Sequence, residues 1–174
     1  MNSELGRLSV DQYKAAEKSP LVLVLDGVRS QHNIGSAFRT CDAFRVGKIC
    51  LCGISATPPT PEIHKAALGA EFSVDWAYFE TAVEAVAALR AEGYTIVSVE
   101  QAEHATQLQD FRPEAGCRYA LVFGNEVKGV SQEVVDASDI CLEIPQFGTK
   151  HSLNVSVSIG IVLWNMILND AGLF

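Results

Sequence analysis

The sequence predicts an α/β fold with a mainly parallel sheet flanked by helices. Three observations carry that prediction. Short apolar runs alternate with stretches of helical spacing, the runs are apolar throughout as in strands covered on both faces, and turn residues separate them. The 174 residues suit one domain, expected over 1–174 with a short helical extension at 1–20, and a 48% hydrophobic content supplies a core.

A first helix is expected over about 10–18, and Pro20 breaks the chain before a buried strand at 21–25. Over 33–44, Ile34, Ala37, Phe38, Cys41 and Phe44 recur at helical spacing, and Arg39 lies off that stripe. A second strand covers 49–52. The proline-rich stretch 57–61 must be an extended loop, and 62–68 forms a short helix. The alanine-rich segment 81–91 reads as an amphipathic helix closed by Gly93, feeding a strand at 94–99. Strands at 119–123 and 140–144 flank a helix near 131–137, and a final buried helix is expected from near Ser152.

Composition narrows the chemistry. The five cysteines lie mostly in apolar runs, as reduced thiols of a cytoplasmic protein do; Cys50 and Cys52 lack zinc spacing and no second ligand pair answers them, so no metal is expected. The polar N-terminus lacks the apolar stretch of a secretion signal, and the apolar run 153–168 is too short and too interrupted to span a bilayer, so no membrane is expected either. The net charge of −8 means that a polyanion could be bound only locally, through Arg29, His32, Arg39 and Arg45 or through Lys128, Lys150 and His151.

Three segments carry candidate functional residues. The first runs from Asp26 to Thr40, a strand end, a polar loop and a helix start. Asn33 reads as its N-cap, Gly35 as a point of close backbone approach, and Arg39 as sharing that surface one turn on. In the second, 121–131, a buried strand ends in a glycine turn that carries Glu126. Gly124 and Gly129 have the separation of a phosphate loop, but Val130 stands where that loop requires lysine, and a dinucleotide-binding glycine pattern is absent. The third, 144–156, is a strand end and a loop opening the last helix, with Ser152 as its expected cap and Asn154 as a polar residue beside an apolar helix.

Taken together, Asn-x-Gly-x-x-x-Arg at 33–39, Phe-Gly-x-Glu-x-x-Gly at 123–129, and Ile-Pro followed by Ser-Leu-Asn-Val-Ser within 144–156 resemble, in order and spacing, the three motifs of the SpoU (TrmH-like) ribose 2′-O-methyltransferases. The resemblance covers 21–164. It implies a single methyltransferase domain of the SPOUT superfamily with a C-terminal deep trefoil knot, and a homodimer with its site at the interface. It also implies S-adenosylmethionine held by Gly124, Ile144, Pro145 and Leu153, and a catalytic set of Asn33, Arg39, Glu126, Ser152 and Asn154. The substrate implied is RNA, tRNA ahead of rRNA because a compact folded RNA can present one loop to a small site.

A sulfonium methyl donor is already activated, so transfer requires an in-line oxygen and a route for its proton, without a metal. The resemblance implies Arg39 as the activating residue. Because arginine stays protonated, positioning of phosphate and ribose is its expected role, with proton acceptance assisted by the RNA phosphate as the family alternative. Two other readings fit the same residues: a catalytically silent RNA-binding protein on this scaffold, and a small-molecule nucleotide binder, which the acidic composition favours.

Overall fold

Leu21, Leu23 and Leu25 of β1 (Ser19–Asp26) pack into one core while Val22 and Val24 enter another, so this strand is apolar on both faces. The computed structural model of the protein describes residues 8–169. β1, β2 (Val46–Cys52), β3 (Trp76–Phe79), β4 (Tyr94–Val99), β5 (Thr106–Gln107), β6 (Arg118–Gly124) and β7 (Ile140–Glu143) form one sheet in the order β3-β2-β1-β6-β4-β7-β5. Every pairing in it is parallel.

On one face α2 (Gln31–Ala43) and α7 (Val155–Asn169) bury Ile34, Phe38, Ile159 and Leu163 against Leu23, Leu121 and Phe123. On the other, α5 (Ala82–Ala91) and α6 (Gln132–Ala137) bury Val86, Leu89 and Val134 against Val24, Ile96 and Val122. Each such side chain contributes about 1.5–3 kcal/mol through the apolar area it removes from water. Among the described residues no helix is long and apolar enough to cross a membrane. All five cysteines are free thiols, and burial pushes the Cys50 thiol up to about 11.

The topology places the site. From β1 the chain leaves toward β2 and β3 on one side, and β6, β4, β7 and β5 fill the other, so the sheet switches direction between β1 and β6. Ligands of open parallel sheets bind at the carboxyl ends of the strands flanking such a switch. Asp26 and Gly124 are in register there, so the loops that follow β1 and β6 emerge side by side.

Several boundaries differ from the sequence expectation. The sheet is parallel throughout rather than mainly so. The first helix, α1 (Val10–Ala15), stops short of Lys18, whose ammonium instead takes the carbonyls of Tyr13 and Ala16 near the helix end. α3 (Pro61–Ala67) is as expected, but α4 (Ala70–Ser73), β3 and β5 lie where the sequence pattern marks no element. Ser30, not Asn33, caps α2: its hydroxyl accepts from the Asn33 amide, which puts Asn33 inside the first turn. The last helix begins at Val155 and not near Ser152. Asn154 is its cap, accepting from the Ser156 amide at 2.9 Å, while its own carbonyl accepts from the Ser158 amide. Gly35 admits a helix: a methyl there would lie 2.5 Å from the Ile63 carbonyl and 2.7 Å from Ala66 Cβ of α3.

Candidate active site

The loop after β6 is folded back on itself. Asn125 and Gly129 exchange backbone hydrogen bonds, and Asn125 Nδ2 donates to the Gly27 carbonyl at 2.7 Å. Two carboxylates hold its far end: Glu100 accepts from the Val130 amide and Asp26 from the Ser131 amide, each at 2.9 Å. Glycine is required twice. A Cβ on Gly124 would run into the backbone of Gly129 and Val130, and Gly129 has φ +71° with Glu100 filling the space a side chain would need.

So fixed, the loop delivers Glu126 to the N-terminus of α2, where its carboxylate accepts from the Arg29 and Ser30 amides and from Asn33 Nδ2, each at 3.2 Å. Burial on its own would raise the Glu126 carboxyl. Hydrogen bonds from its own backbone, Arg29, Asn33 and Ser30 outweigh that and hold it below the usual carboxylate range. A carboxylate so stabilised, with its oxygens already engaged, is a fixed acceptor and a poor general base.

That acceptor dictates everything downstream. Because an ionised carboxylate can only accept, the amide nitrogen of Asn33 must turn toward Glu126, which leaves Asn33 Oδ1 facing away. Asn154 Nδ2 donates to that oxygen at 3.2 Å, and Asn154 Oδ1 then accepts from the amide and hydroxyl of Ser156. Asn33, only 7% exposed, is the buried middle of this chain. One polar thread therefore ties together three segments that lie far apart in sequence.

The thread borders a cavity of about 570 Å³, a size that accepts a nucleoside-bearing ligand. Phe123, Ile144, Leu153 and Val155 supply apolar wall, and Gly124, Glu126, Ser152 and Asn154 also line it. Of the four residues expected to hold a cofactor, Gly124, Ile144 and Leu153 are in the lining and Pro145 is not. Of the five expected catalytic residues, Glu126, Ser152 and Asn154 line the cavity and Asn33 joins them by hydrogen bonds. Arg39 stands apart. It is exposed on α2, six residues or about 9 Å along the axis from Asn33, and within one chain it does not reach this lining.

Glu100 and Gln101, at the end of β4, also line the cavity and were not singled out in the sequence. Their only prior signal is position, just past the carboxyl end of a central parallel strand. His151 and Lys128 are lining residues too, where the sequence offered only local positive charge.

The family model described as the SpoU rRNA methylase family matches residues 20–164, the span that contains the whole thread. The chain belongs to that family. Among similar SpoU-related proteins, the 23S rRNA (guanosine-2′-O-)-methyltransferase RlmB of Vibrio vulnificus is 30% identical over 164 residues, covering 94% of this chain and 65% of that protein. The AdoMet-bound rRNA methyltransferase of Sinorhizobium meliloti superposes with a TM-score of 0.79 at 26% identity, covering 88% of this chain and 58% of the other. The TrmH/SpoU tRNA modifying enzyme of A. aeolicus gives 0.78 at 26% identity, covering 90% and 79%. The chain spans about 61–65% of the length of the curated relatives it matches. The parallel sheet with helices on both faces is the architecture that the SpoU methyltransferases share with this chain.

Proposed function

We propose that this SpoU protein transfers a methyl group from S-adenosylmethionine to a ribose 2′-hydroxyl of RNA. The observation that carries the reading is the thread from Asn154 through Asn33 to Glu126 beside a cavity of ligand size. S-adenosylmethionine fits the donor set: an apolar wall at Phe123, Ile144 and Leu153 suits a purine, and the glycine turn at Gly124 exposes backbone at the cavity edge. When bound, it supplies an activated methyl group on a sulfonium. The chain's own residues position and hold. Glu126 fixes the start of α2, Asn33 and Asn154 fix the opening of α7, and Ser152 lines the cavity.

Ribose 2′-O transfer is favoured because the RlmB relative carries that activity in its name. tRNA is preferred to rRNA as the substrate, on the argument of a small site reading one presented loop. The proposal includes a cytoplasmic location and the knotted threading of the SPOUT class.

It also includes a homodimer. Val157, Ile161, Trp164 and Leu168 of α7 are exposed at helical spacing, an apolar stripe that a second copy would cover. Arg39 does not line the cavity of its own chain, and an interface that brings in a second copy gives it a cavity to serve. Mapping 2′-O-methyl sites in total RNA with and without the gene tests the reading. A methylation site that disappears with the gene and returns with the purified protein supports it, and an unchanged map refutes it.

A further inference from the structure

The two most exposed large apolar side chains among the described residues are Phe147, at 96%, and Val127, at 85%. Both belong to loops at the cavity. Val127 is itself a lining residue in the loop after β6, and Phe147 lies in the loop after β7 between the lining residues Gln146 and His151. Each has a lysine close by in sequence, Lys128 next to Val127 and Lys150 three residues beyond Phe147, and both lysines are exposed. A phenyl ring left this open forgoes the stabilisation that burial would give, and the Leu, Ile and Phe residues of the nearby strands are packed away.

An exposed aromatic ring with lysines close by in sequence, on an otherwise acidic protein, has a natural counterpart in unpaired nucleotides. Every base offers a flat face for stacking, while the phosphates on either side meet the ammonium groups. A base held within a duplex offers no such face, so the platform selects single-stranded or splayed nucleotides. The net charge of −8 makes the point sharper: the lysines at this rim are local, and the stacking contact adds affinity that does not depend on charge.

We infer that Phe147 is a base-stacking platform at the rim of the cavity, which receives an unpaired nucleotide of the RNA substrate while Lys150 and Lys128 hold the adjoining phosphates. This rests on the methyltransferase reading for the identity of the cavity and adds the residue that grips the RNA beside it. Val127 forms the apolar ledge on the loop after β6. The stacked nucleotide neighbours the one whose ribose enters the cavity.

The test measures binding of an unpaired RNA oligonucleotide of mixed sequence, and of its blunt duplex, to the intact protein over a range of salt. F147A should weaken single-strand binding roughly five- to tenfold, the lower end of what loss of one stacked base costs, and leave duplex binding as it was. F147W should restore the affinity, and F147L, apolar but without a π face, should not. The slope of log affinity against log salt should be the same for F147A as for the natural protein. It should fall by about 0.7 for K150A, one phosphate contact fewer.

S-adenosylmethionine affinity by calorimetry and the sedimentation coefficient should be unchanged in all four variants. F147L binding RNA as tightly as the natural protein would overturn stacking, as would a loss in F147A confined to cofactor affinity or to dimerisation. Those results leave the methyltransferase reading intact. Failure of the natural protein to methylate any RNA refutes that reading instead, and the comparison of Phe147 variants for RNA binding still decides the platform.

Discussion

Replacing Asn33 by Asp changes one NH₂ to O and little else in shape, so it isolates the direction of the polar thread. The introduced carboxyl can still accept from Asn154 Nδ2, but toward Glu126 it presents an oxygen where a donor stood at 3.2 Å. Two unit charges at that distance repel by about 1.3 kcal/mol in bulk water and about 5 kcal/mol at an effective dielectric near 20. Glu126 is open to solvent on one side, which puts the expected cost at roughly 1–3 kcal/mol, and protonation of the new group caps it.

The sign follows from linkage. The new carboxyl has a folded-state pKa above its unfolded value of about 3.9, so Asn33→Asp should match the natural protein near pH 3 and lose stability as pH rises. Urea unfolding at several pH values reads the difference directly. In a double-mutant cycle, adding Glu126→Gln should return at least about 1 kcal/mol at pH 7, because the glutamine amide can donate to the new carboxylate. A penalty for Asn33→Asp that is the same at pH 3 and pH 8, or no coupling between the two sites, would show that Asn33 and Glu126 do not meet as donor and acceptor.

Glu126→Gln alone should flatten the acid limb of the stability curve. In the natural protein the lowered Glu126 pKa contributes stability above its unfolded value that is lost as pH falls through the folded value, and the variant lacks that titration. Gly124→Ala should lower urea stability by about 1–3 kcal/mol and weaken S-adenosylmethionine binding in calorimetry, since the added methyl runs into Gly129 and Val130; an unchanged midpoint would contradict the packing. Arg39→Ala should keep cofactor affinity, because Arg39 lies outside the cavity lining, and lose at least about tenfold in methyl incorporation for each 1.4 kcal/mol of transition-state interaction removed. Near-normal turnover would remove Arg39 from the catalytic set.

The strands and long helices were legible because their apolar spacing is dictated by what they bury, and the three motifs stood out through glycine and amide positions. The caps were not. Ser30 and Asn33 are equally good cap residues by type, and the choice is made by Glu126, which draws the Asn33 amide inward from 93 residues away. Ser152 and Asn154 pose the same ambiguity, resolved by the Asn154 contact with Asn33. β3 was not legible because Trp-Ala-Tyr-Phe is only four residues long, too short for apolar spacing to tell a strand from a helix, and it lies at a sheet edge with Trp76 and Tyr78 exposed. Glu100 carried no motif at all; only the strand order, which periodicity does not give, places it at the cavity.

The hydrogen bond from Asn154 to Asn33 closes a loop of 121 residues. Contacts of that span are costly in chain entropy and form late, after nearer pairings have drawn their ends together. During synthesis, therefore, a nascent chain that has emerged only as far as β7 carries Asn33 and Glu126 but lacks the partner that completes the thread. The cavity wall at Leu153 and Val155 is missing for the same interval. Binding competence should thus switch on in one late step, so a ribosome-bound chain stalled before residue 154 should show no affinity for the methyl donor even though most of its sheet is in place.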